Sequence, residues 1–170
     1  GQRLLNGAGV ELLLGVGERD ADRLQALELL SLIQQQWGHL QEVILQPFRP
    51  PGQPPVPLTP GECKALLPLI GAAREILPSE IHLQMPPNLW PLEQLPQALE
   101  AGINDLGGID SQDVINPAYG QPAPERLAEV LADAGWQLRP RLCVHDAWIE
   151  GLPSGLRQRA EACRELLHGC

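Results

Sequence analysis

Residues 10–22 read VELLLGVGERDAD, and this stretch decides the fold. The apolar run at its start predicts a buried strand, which ends at the glycine pair Gly15 and Gly17. Glu18 follows at once, and Asp20 is predicted to cap a long amphipathic helix. A buried strand that turns on glycines into a helix is half of a βαβ unit. Glu18 is therefore predicted to stand at the carboxyl end of a strand, where α/β proteins place their binding sites.

The rest of the chain repeats this strand-then-helix pattern. Further strands are predicted at residues 42–46, 81–85 and 103–106, and helices at residues 20–37, 59–77, 91–101, 124–134 and 153–168. Such alternation indicates an α/β fold with a parallel sheet and helical crossovers. Two arrangements fit it: an open doubly wound sheet that is complete in itself, and half of an eight-stranded barrel. The irregular segments after the strands, compared with the short connections before them, favour the barrel, which collects its active-site residues at one end.

Two of the predicted helices carry detailed signals. The sequence TPGE at residues 59–62 is a capping box with a proline in the first turn. In the first helix, Ala26, Leu30, Ile33 and Trp37 recur at spacings of four, three and four residues. This spacing predicts that these four side chains form the buried face of the helix.

Composition excludes several classes of protein. The 170 residues carry 12 basic and 21 acidic side chains, for a net charge of −9, which disfavours a nucleic-acid partner. No apolar run is long enough to span a membrane, and no signal peptide opens the sequence. The four cysteines lie far apart without a CxxC pair, so reduced thiols in a cytoplasmic protein are expected. Because Met85 is the only methionine, we expect the sequence to be a piece of a longer protein.

Four segments then occur in an order typical of one enzyme family. They are GVGE at residues 15–18, HLQEVILQPFRP at residues 39–50, IHLQMPPNLWP at residues 81–91 and AGINDLGGIDSQDVINP at residues 101–117. With these segments the sequence resembles the FO synthases, which form a deazaflavin. It is most similar to the carboxyl-terminal half of their radical S-adenosylmethionine subunit or domain, over residues 11–148.

The resemblance implies a (βα)8 barrel of the TIM type. Residues 1–150 would be its carboxyl-terminal half, with strands five to eight and their helices, and residues 151–170 a final helix. Family members hold a 4Fe-4S cluster on a CxxxCxxC loop near the start of the barrel. The cluster cleaves S-adenosylmethionine to a radical that abstracts hydrogen from an adduct of tyrosine and 5-amino-6-(D-ribitylamino)uracil. A partner subunit or fused domain makes this adduct.

One departure from the family pattern affects function. The CxxxCxxC loop is absent, and Cys63, Cys143, Cys163 and Cys170 cannot replace it at their spacings. We therefore expect no metal ligands and no activity in this chain alone, which would need the missing amino-terminal half-barrel as its partner. A half-barrel also has two unpaired sheet edges, which favour self-association.

The resemblance assigns roles to residues at the strand ends. Gly15, Gly17 and Glu18 match the motif that contacts S-adenosylmethionine, although Glu18 also suits a surface position near a helix amino terminus. The predicted substrate-binding residues are Gln46, Arg49, Gln84, Asn88, Asn104 and Asp105. Arg49 suits either a bidentate hold on a carboxylate or the anchoring of its loop, and Asp105 suits either binding or a helix cap. No catalytic residue is predicted.

Two other functions remain open at this stage. One is a stand-alone α/β module that binds a nucleotide or a protein without catalysis. The other is a radical S-adenosylmethionine enzyme of the biotin-synthase or menaquinone-pathway type. The sequences QPFR at residues 46–49 and NDLGG at residues 104–108 favour the deazaflavin branch over these relatives.

Overall fold

A computed structural model describes residues 8–50, 56–109 and 120–168 of the chain. The strands are β1 (Ala8–Leu14), β2 (Leu40–Pro47), β3 (His82–Met85) and β4 (Asp105–Leu106). The helices are α1 (Asp20–Trp37), α2 (Pro60–Ile76), α3 (Leu95–Ala101), α4 (Pro124–Asp133), α5 (Asp146–Ile149) and α6 (Ser154–His168). Two 3₁₀ turns, Pro87–Leu89 and Leu92–Gln94, precede α3.

The four strands form one parallel sheet in the order β1-β2-β3-β4. Each neighbour in the sheet is also the next strand along the chain. Doubly wound sheets reverse their strand order at a switch point, whereas a barrel continues in one direction. The α/β prediction is confirmed, and the consecutive order is consistent with part of a barrel.

The two faces of the sheet differ in their side chains. Val43, Leu45, Leu83 and Met85 are at most 3% exposed and belong to one apolar core. Side chains of α1, α2, α3 and α4 complete this core, so these helices cover a single face. Because side chains alternate along a strand, polar residues such as Glu42 and Gln84 lie on the opposite face. We call this opposite face the helix-free face, because α1, α2, α3 and α4 all pack against the other one.

The buried face of α1 is shifted by one residue from the predicted one. Leu27, Ser31 and Gln34 are its buried residues, whereas Trp37 is 59% exposed. Gln34 can be buried because its side-chain oxygen accepts a hydrogen bond of 2.8 Å from the backbone N–H of Leu40. A pattern of apolar residues cannot predict such a face, since its burial depends partly on hydrogen bonds.

Two element boundaries differ from the sequence-based expectation. Arg19, not Asp20, is the residue before the first helical residue of α1, and its backbone N–H donates to Asp22 at 2.9 Å. The last strand is shorter than predicted because the N–H of Ile103 still bonds to the carbonyl of Ala98 at 3.0 Å. That hydrogen bond belongs to the end of α3 rather than to the sheet.

The predicted capping box at the start of α2 is confirmed. The Thr59 hydroxyl accepts a hydrogen bond of 3.3 Å from the N–H of Glu62. The Glu62 carboxylate in turn accepts bonds from the Thr59 N–H at 2.7 Å and from its hydroxyl at 2.8 Å. The helix therefore begins at a fixed residue, directly beside the carboxyl end of β2.

We expect Thr59→Ala to lower the free energy of unfolding by about 1 kcal/mol, because a free N–H at the helix start loses its acceptor. Urea denaturation of the two proteins measures this difference. Thr59→Ser retains the hydroxyl and is expected to keep most of the stability. Equal losses in both variants would contradict a capping role for the hydroxyl.

Candidate functional site

The loop after β1 is built around the carboxylate of Glu18. Gly15 and Gly17 have φ angles of 92° and 108°, which favour glycine over other residues. This backbone directs the N–H groups of Gly15 and Val16 to the Glu18 carboxylate, at 2.7 and 2.8 Å. The glycines therefore allow Glu18 to close its own loop, in addition to any contact with a ligand.

Arg23 on α1 holds the same carboxylate from its other side. Its Nε atom donates to Glu18 Oε1 at 2.7 Å, and both side chains are at least 83% buried. The Gly15 N–H, followed by Arg23, lowers the pKa of Glu18 from 4.5 to about 2. Glu18 is thus a fixed anion, and Val16 is the one described hydrogen-bond donor to its Oε2.

This pKa has a consequence for acid stability. The Glu18 pKa is lower in the folded chain than in the unfolded one, so its contribution is complete above about pH 4.5 and is lost as the pH falls toward 2. We expect Glu18→Gln to lower the melting temperature at pH 6 and to have little effect near pH 2. Thermal melts of both proteins between pH 2 and pH 6 measure the difference in melting temperature. Glu28→Gln, on the exposed side of α1, is the control, and a Glu18→Gln effect that stays constant with pH would contradict the argument.

Arg49 follows the end of β2, and only part of its hydrogen-bonding capacity is used. Its Nη1 atom donates to Glu62 Oε1 at 3.2 Å. Its Nε and Nη2 atoms are shielded from solvent and have no hydrogen-bond partner among the described residues. Gln46, at the end of the same strand, makes only a long contact of 3.5 Å with the Pro47 carbonyl. The end of β2 therefore offers unused donors.

The remaining predicted residues lie on or beside β3 and β4. Asn88 follows β3 as predicted, but Asn104 and Asp105 stand at the start of β4 and not after it, because α3 delays the start of this strand. Asn88 is buried in the first 3₁₀ turn. Asn104 accepts a hydrogen bond of 2.8 Å from the Leu83 N–H through its side-chain oxygen, and so extends the sheet. A Cβ atom at Gly107 would lie 2.0 Å from the Gln84 side chain. Gly107 thus makes room for Gln84 between the two strands.

Gln84 and Asp105 belong to a larger group on the helix-free face. We call Glu42, Gln84, Asp105, Arg141 and His145 the charged cluster. Arg141 donates to both oxygens of Asp105, at 2.9 Å from Nε and through a shorter contact from Nη2, and to Glu42 at 3.1 Å. The Gln84 amide donates to Asp105 at 2.8 Å and to Glu42 at 3.2 Å, and His145 Nε2 lies 3.1 Å from Glu42.

A second set of bonds ties the segment carrying Arg141 and His145 to β2. The Gln41 side chain donates to the Cys143 carbonyl and accepts from the His145 N–H, both at 3.1 Å. His145 also stacks on His82, with ring centroids 3.7 Å apart and nearly parallel planes. The charged cluster is therefore built from two distant parts of the chain.

The electrostatics of the cluster favour the ion pair between Asp105 and Arg141. Burial raises the pKa of Asp105, but hydrogen bonds from Arg141 and Gln84 outweigh this, and the pKa is lowered overall. For Arg141, the cost of burial is outweighed by Asp105, which raises its pKa. Burial, and then His145, lowers the pKa of His82. Asp105 and Arg141 are therefore a stable ion pair near neutral pH.

The ligand atoms of Glu42, Asp105 and His145 lie within 4.8 Å of one another, which is close enough for a shared metal ion. However, the same carboxylate oxygens already accept hydrogen bonds from Arg141 and Gln84. A divalent cation would have to displace the guanidinium, which supplies the neutralising charge here. The cluster is best described as a closed ion-pair network.

The structure brings only some of the predicted site residues into contact with one another. Gln84 and Asp105 are in direct contact, whereas Glu18 and Arg49 each bond within their own strand-to-helix connection. Sequence reasoning missed Glu42, Arg141 and His145. Glu42 had a usable signal, because it is the one charged residue in a strand that is otherwise uncharged. Arg141 and His145 lie in an aperiodic segment about 100 residues away, which offers no such signal.

Comparison with known proteins shows which enzymes this chain is similar to. The chain is 44% identical over 155 residues to the 7,8-didemethyl-8-hydroxy-5-deazariboflavin synthase of Synechococcus elongatus. It is 49% identical over 134 residues to the synthase of Gloeobacter violaceus and 43% identical over 162 residues to that of Trichormus variabilis. The chain is similar to proteins of this name over most of its own length. No protein-family model matches the chain.

The match covers most of this chain but less than half of each relative. The shares of this chain are 89%, 79% and 93%, and the corresponding shares of the relatives are 45%, 41% and 47%. The chain therefore spans about half the length of the deazariboflavin synthases it matches. Among the helices that the structure describes, none is long and apolar enough to cross a bilayer.

Proposed function

We propose that this chain is the carboxyl-terminal half of a radical S-adenosylmethionine (βα)8 barrel that forms FO. The substrate would be the adduct of tyrosine and 5-amino-6-(D-ribitylamino)uracil, made by a partner subunit or domain. The observation that carries the proposal is the identity of 40–49% to deazariboflavin synthases. A parallel sheet in consecutive order, with helices α1 to α4 on one face, supports the barrel.

The missing half-barrel would pair with the two outer strands of the sheet. Within the described residues, β1 and β4 each have one neighbouring strand. β1 offers an edge of seven residues, of which most are exposed. An amino-terminal half-barrel would cover this edge and enclose the helix-free face, which then becomes the barrel interior. Without that half, the same edges would favour self-association.

Within the described residues, no set of cysteines is suited to hold the 4Fe-4S cluster. The described cysteines are the buried Cys63 and the exposed Cys143 and Cys163, and none belongs to a described group of three ligand residues. The cluster and S-adenosylmethionine, when bound, supply the abstraction of hydrogen from the substrate. We propose that the cluster is held by the other half and that this chain alone is inactive. The free thiols support a cytoplasmic location.

The donors and acceptors at the strand ends support binding roles. S-adenosylmethionine carries an amino group and ribose hydroxyls, which a fixed anion such as Glu18 binds well. Gly15 and Gly17 would let the ligand approach the backbone closely. Gln46 lies at the end of β2, and Arg49 and Asn88 follow β2 and β3 at the same end of the sheet. All three would contact the substrate. Gln84, Asn104 and Asp105 would act mainly by keeping β3 and β4 in position.

The test begins with the DNA upstream of the Gly1 codon. We expect a reading frame for a half-barrel with CxxxCxxC, either continuous with this chain or as a separate gene. The complete protein, reconstituted anaerobically with iron and sulfide, should form fluorescent FO when the adduct-forming partner is present. Alanine variants of the loop cysteines are the control. Absence of FO, under conditions in which the Synechococcus elongatus synthase forms it, would refute the proposal.

A further inference from the structure

Arg49 presents an unused pair of donors at the carboxyl end of the sheet. Its Nη1 atom is held by Glu62, whereas Nε and Nη2 are shielded from solvent and lack a hydrogen-bond partner in the part of the chain that the structure describes. These two atoms form one edge of the guanidinium, the edge that Arg141 uses to bind the carboxylate of Asp105. Buried donors without an acceptor are costly, and native proteins rarely leave them so without a reason.

The orientation of Arg49 is set by the start of α2. Glu62 Oε1 accepts from Arg49, while Glu62 Oε2 is fixed by two hydrogen bonds from Thr59. Hydrogen bonds from the Thr59 backbone and hydroxyl also lower the pKa of Glu62, so it is an anion near neutral pH. Within the described residues, Glu62 is the one carboxylate in ion-pair distance of Arg49. The guanidinium is therefore anchored at one nitrogen and free at its opposite edge.

We infer that the Nε and Nη2 atoms of Arg49 form a binding fork for a ligand carboxylate. The two N–H groups of such an edge are parallel and match the two oxygens of a carboxylate. The site is water-poor, so this interaction is stronger than at an exposed arginine. The ligand reaches the fork when the atoms that shield it are displaced.

A monoanion suits this position better than a phosphate dianion. The carboxylate of Glu62 already lies 3.2 Å from Nη1, and a second charge on the ligand would add repulsion. The chain as a whole is also acidic, with a net charge of −9. Because Glu62 already balances the single charge of Arg49, a ligand with one negative charge meets less repulsion here than a ligand with two.

The identity of the ligand rests on the proposed function. Both S-adenosylmethionine and the tyrosine-derived adduct carry an amino-acid carboxylate. A fork at Arg49 would orient one of these molecules from the end of β2, beside the Glu18 loop at the end of the neighbouring strand β1. The chemistry of the fork can be tested without the reaction.

The experiment compares two ligands that differ in the carboxylate alone. The ¹⁵N-labelled chain is titrated with N-acetyl-L-tyrosine and with N-acetyl-L-tyrosinamide, and the Arg49 Nε–H signal is followed by NMR. Arg49→Lys identifies this signal by its loss and retains the positive charge. The backbone amides of Gln46 and Glu62 report binding in both proteins. A separate titration uses inorganic phosphate.

We expect N-acetyl-L-tyrosine to shift the Arg49 signal in a saturable manner, with at least about tenfold weaker binding of the amide and of Arg49→Lys to the acid. Equal responses to the acid and the amide, or no response to either, would overturn the fork. Tighter binding of phosphate would overturn the preference for a monoanion. Because FO formation is not measured here, a fork that binds while the complete protein makes no FO would separate this inference from the proposed function.

Discussion

Arg141→Met is expected to lower the free energy of unfolding by about 2 to 4 kcal/mol. Methionine retains much of the length of the side chain but none of its hydrogen bonds. The carboxylates of Asp105 and Glu42, whose side chains are 9% and 13% exposed, would then lose their counterion while they stay largely buried. Since Arg141 itself is 30% exposed, some solvent would enter and the loss should fall below that of a fully buried pair. Urea denaturation at pH 7 measures this loss in the free energy of unfolding.

Arg126→Met is the matched control. Arg126 forms a 3.0 Å ion pair with Glu129 on α4, but both side chains are more than half exposed. Exposed pairs of this kind contribute at most about 1 kcal/mol, so the control should remain close to the parent protein. Equal losses in the two variants would show that the charged cluster adds no more stability than a surface ion pair.

Leu83→Ala is expected to cost about 3 kcal/mol, because it leaves a cavity in the centre of the core. Leu83 is fully buried on β3, between the two neighbouring strands and beneath the helices. Its backbone N–H also bonds to Asn104, so the surrounding strands have little freedom to collapse into the space. The midpoint of urea denaturation should decrease while the slope remains constant.

Leu32→Ala provides the comparison for this second variant. Leu32 lies on α1 and is 61% exposed, so the same change in side chain removes little buried surface. We expect its effect to lie within about 0.5 kcal/mol of zero. A loss at Leu83 as small as that at Leu32 would contradict the position of Leu83 in the core.

Local signals in the sequence predicted the elements of the fold well. The Thr59 to Glu62 capping box is a short-range pattern, and the structure contains it as predicted. The buried face of α1 was wrong because Gln34 is buried through its hydrogen bond to Leu40. Hydrophobic spacing measures apolar character, but it does not register a polar side chain that gains a partner on folding.

The candidate site was predictable only in part, for a related reason. Residues after each strand could be named because parallel strands bring their carboxyl ends together. The unsatisfied edge of Arg49 depends on where Glu62 places the guanidinium, and the charged cluster depends on a contact between Glu42 and Arg141 across 99 residues. Neither relation has a local pattern, so neither can be found without coordinates.

The tie between Gln41 and His145 has a consequence for folding kinetics. It joins residues 104 positions apart, so its formation closes a very long loop. Contacts of this kind form late, after the local βα units have assembled. Arg141→Met should therefore accelerate unfolding and leave the refolding rate nearly unchanged. The segment at residues 141–145 thus contributes to kinetic stability: it determines how long the folded chain survives rather than how quickly it forms.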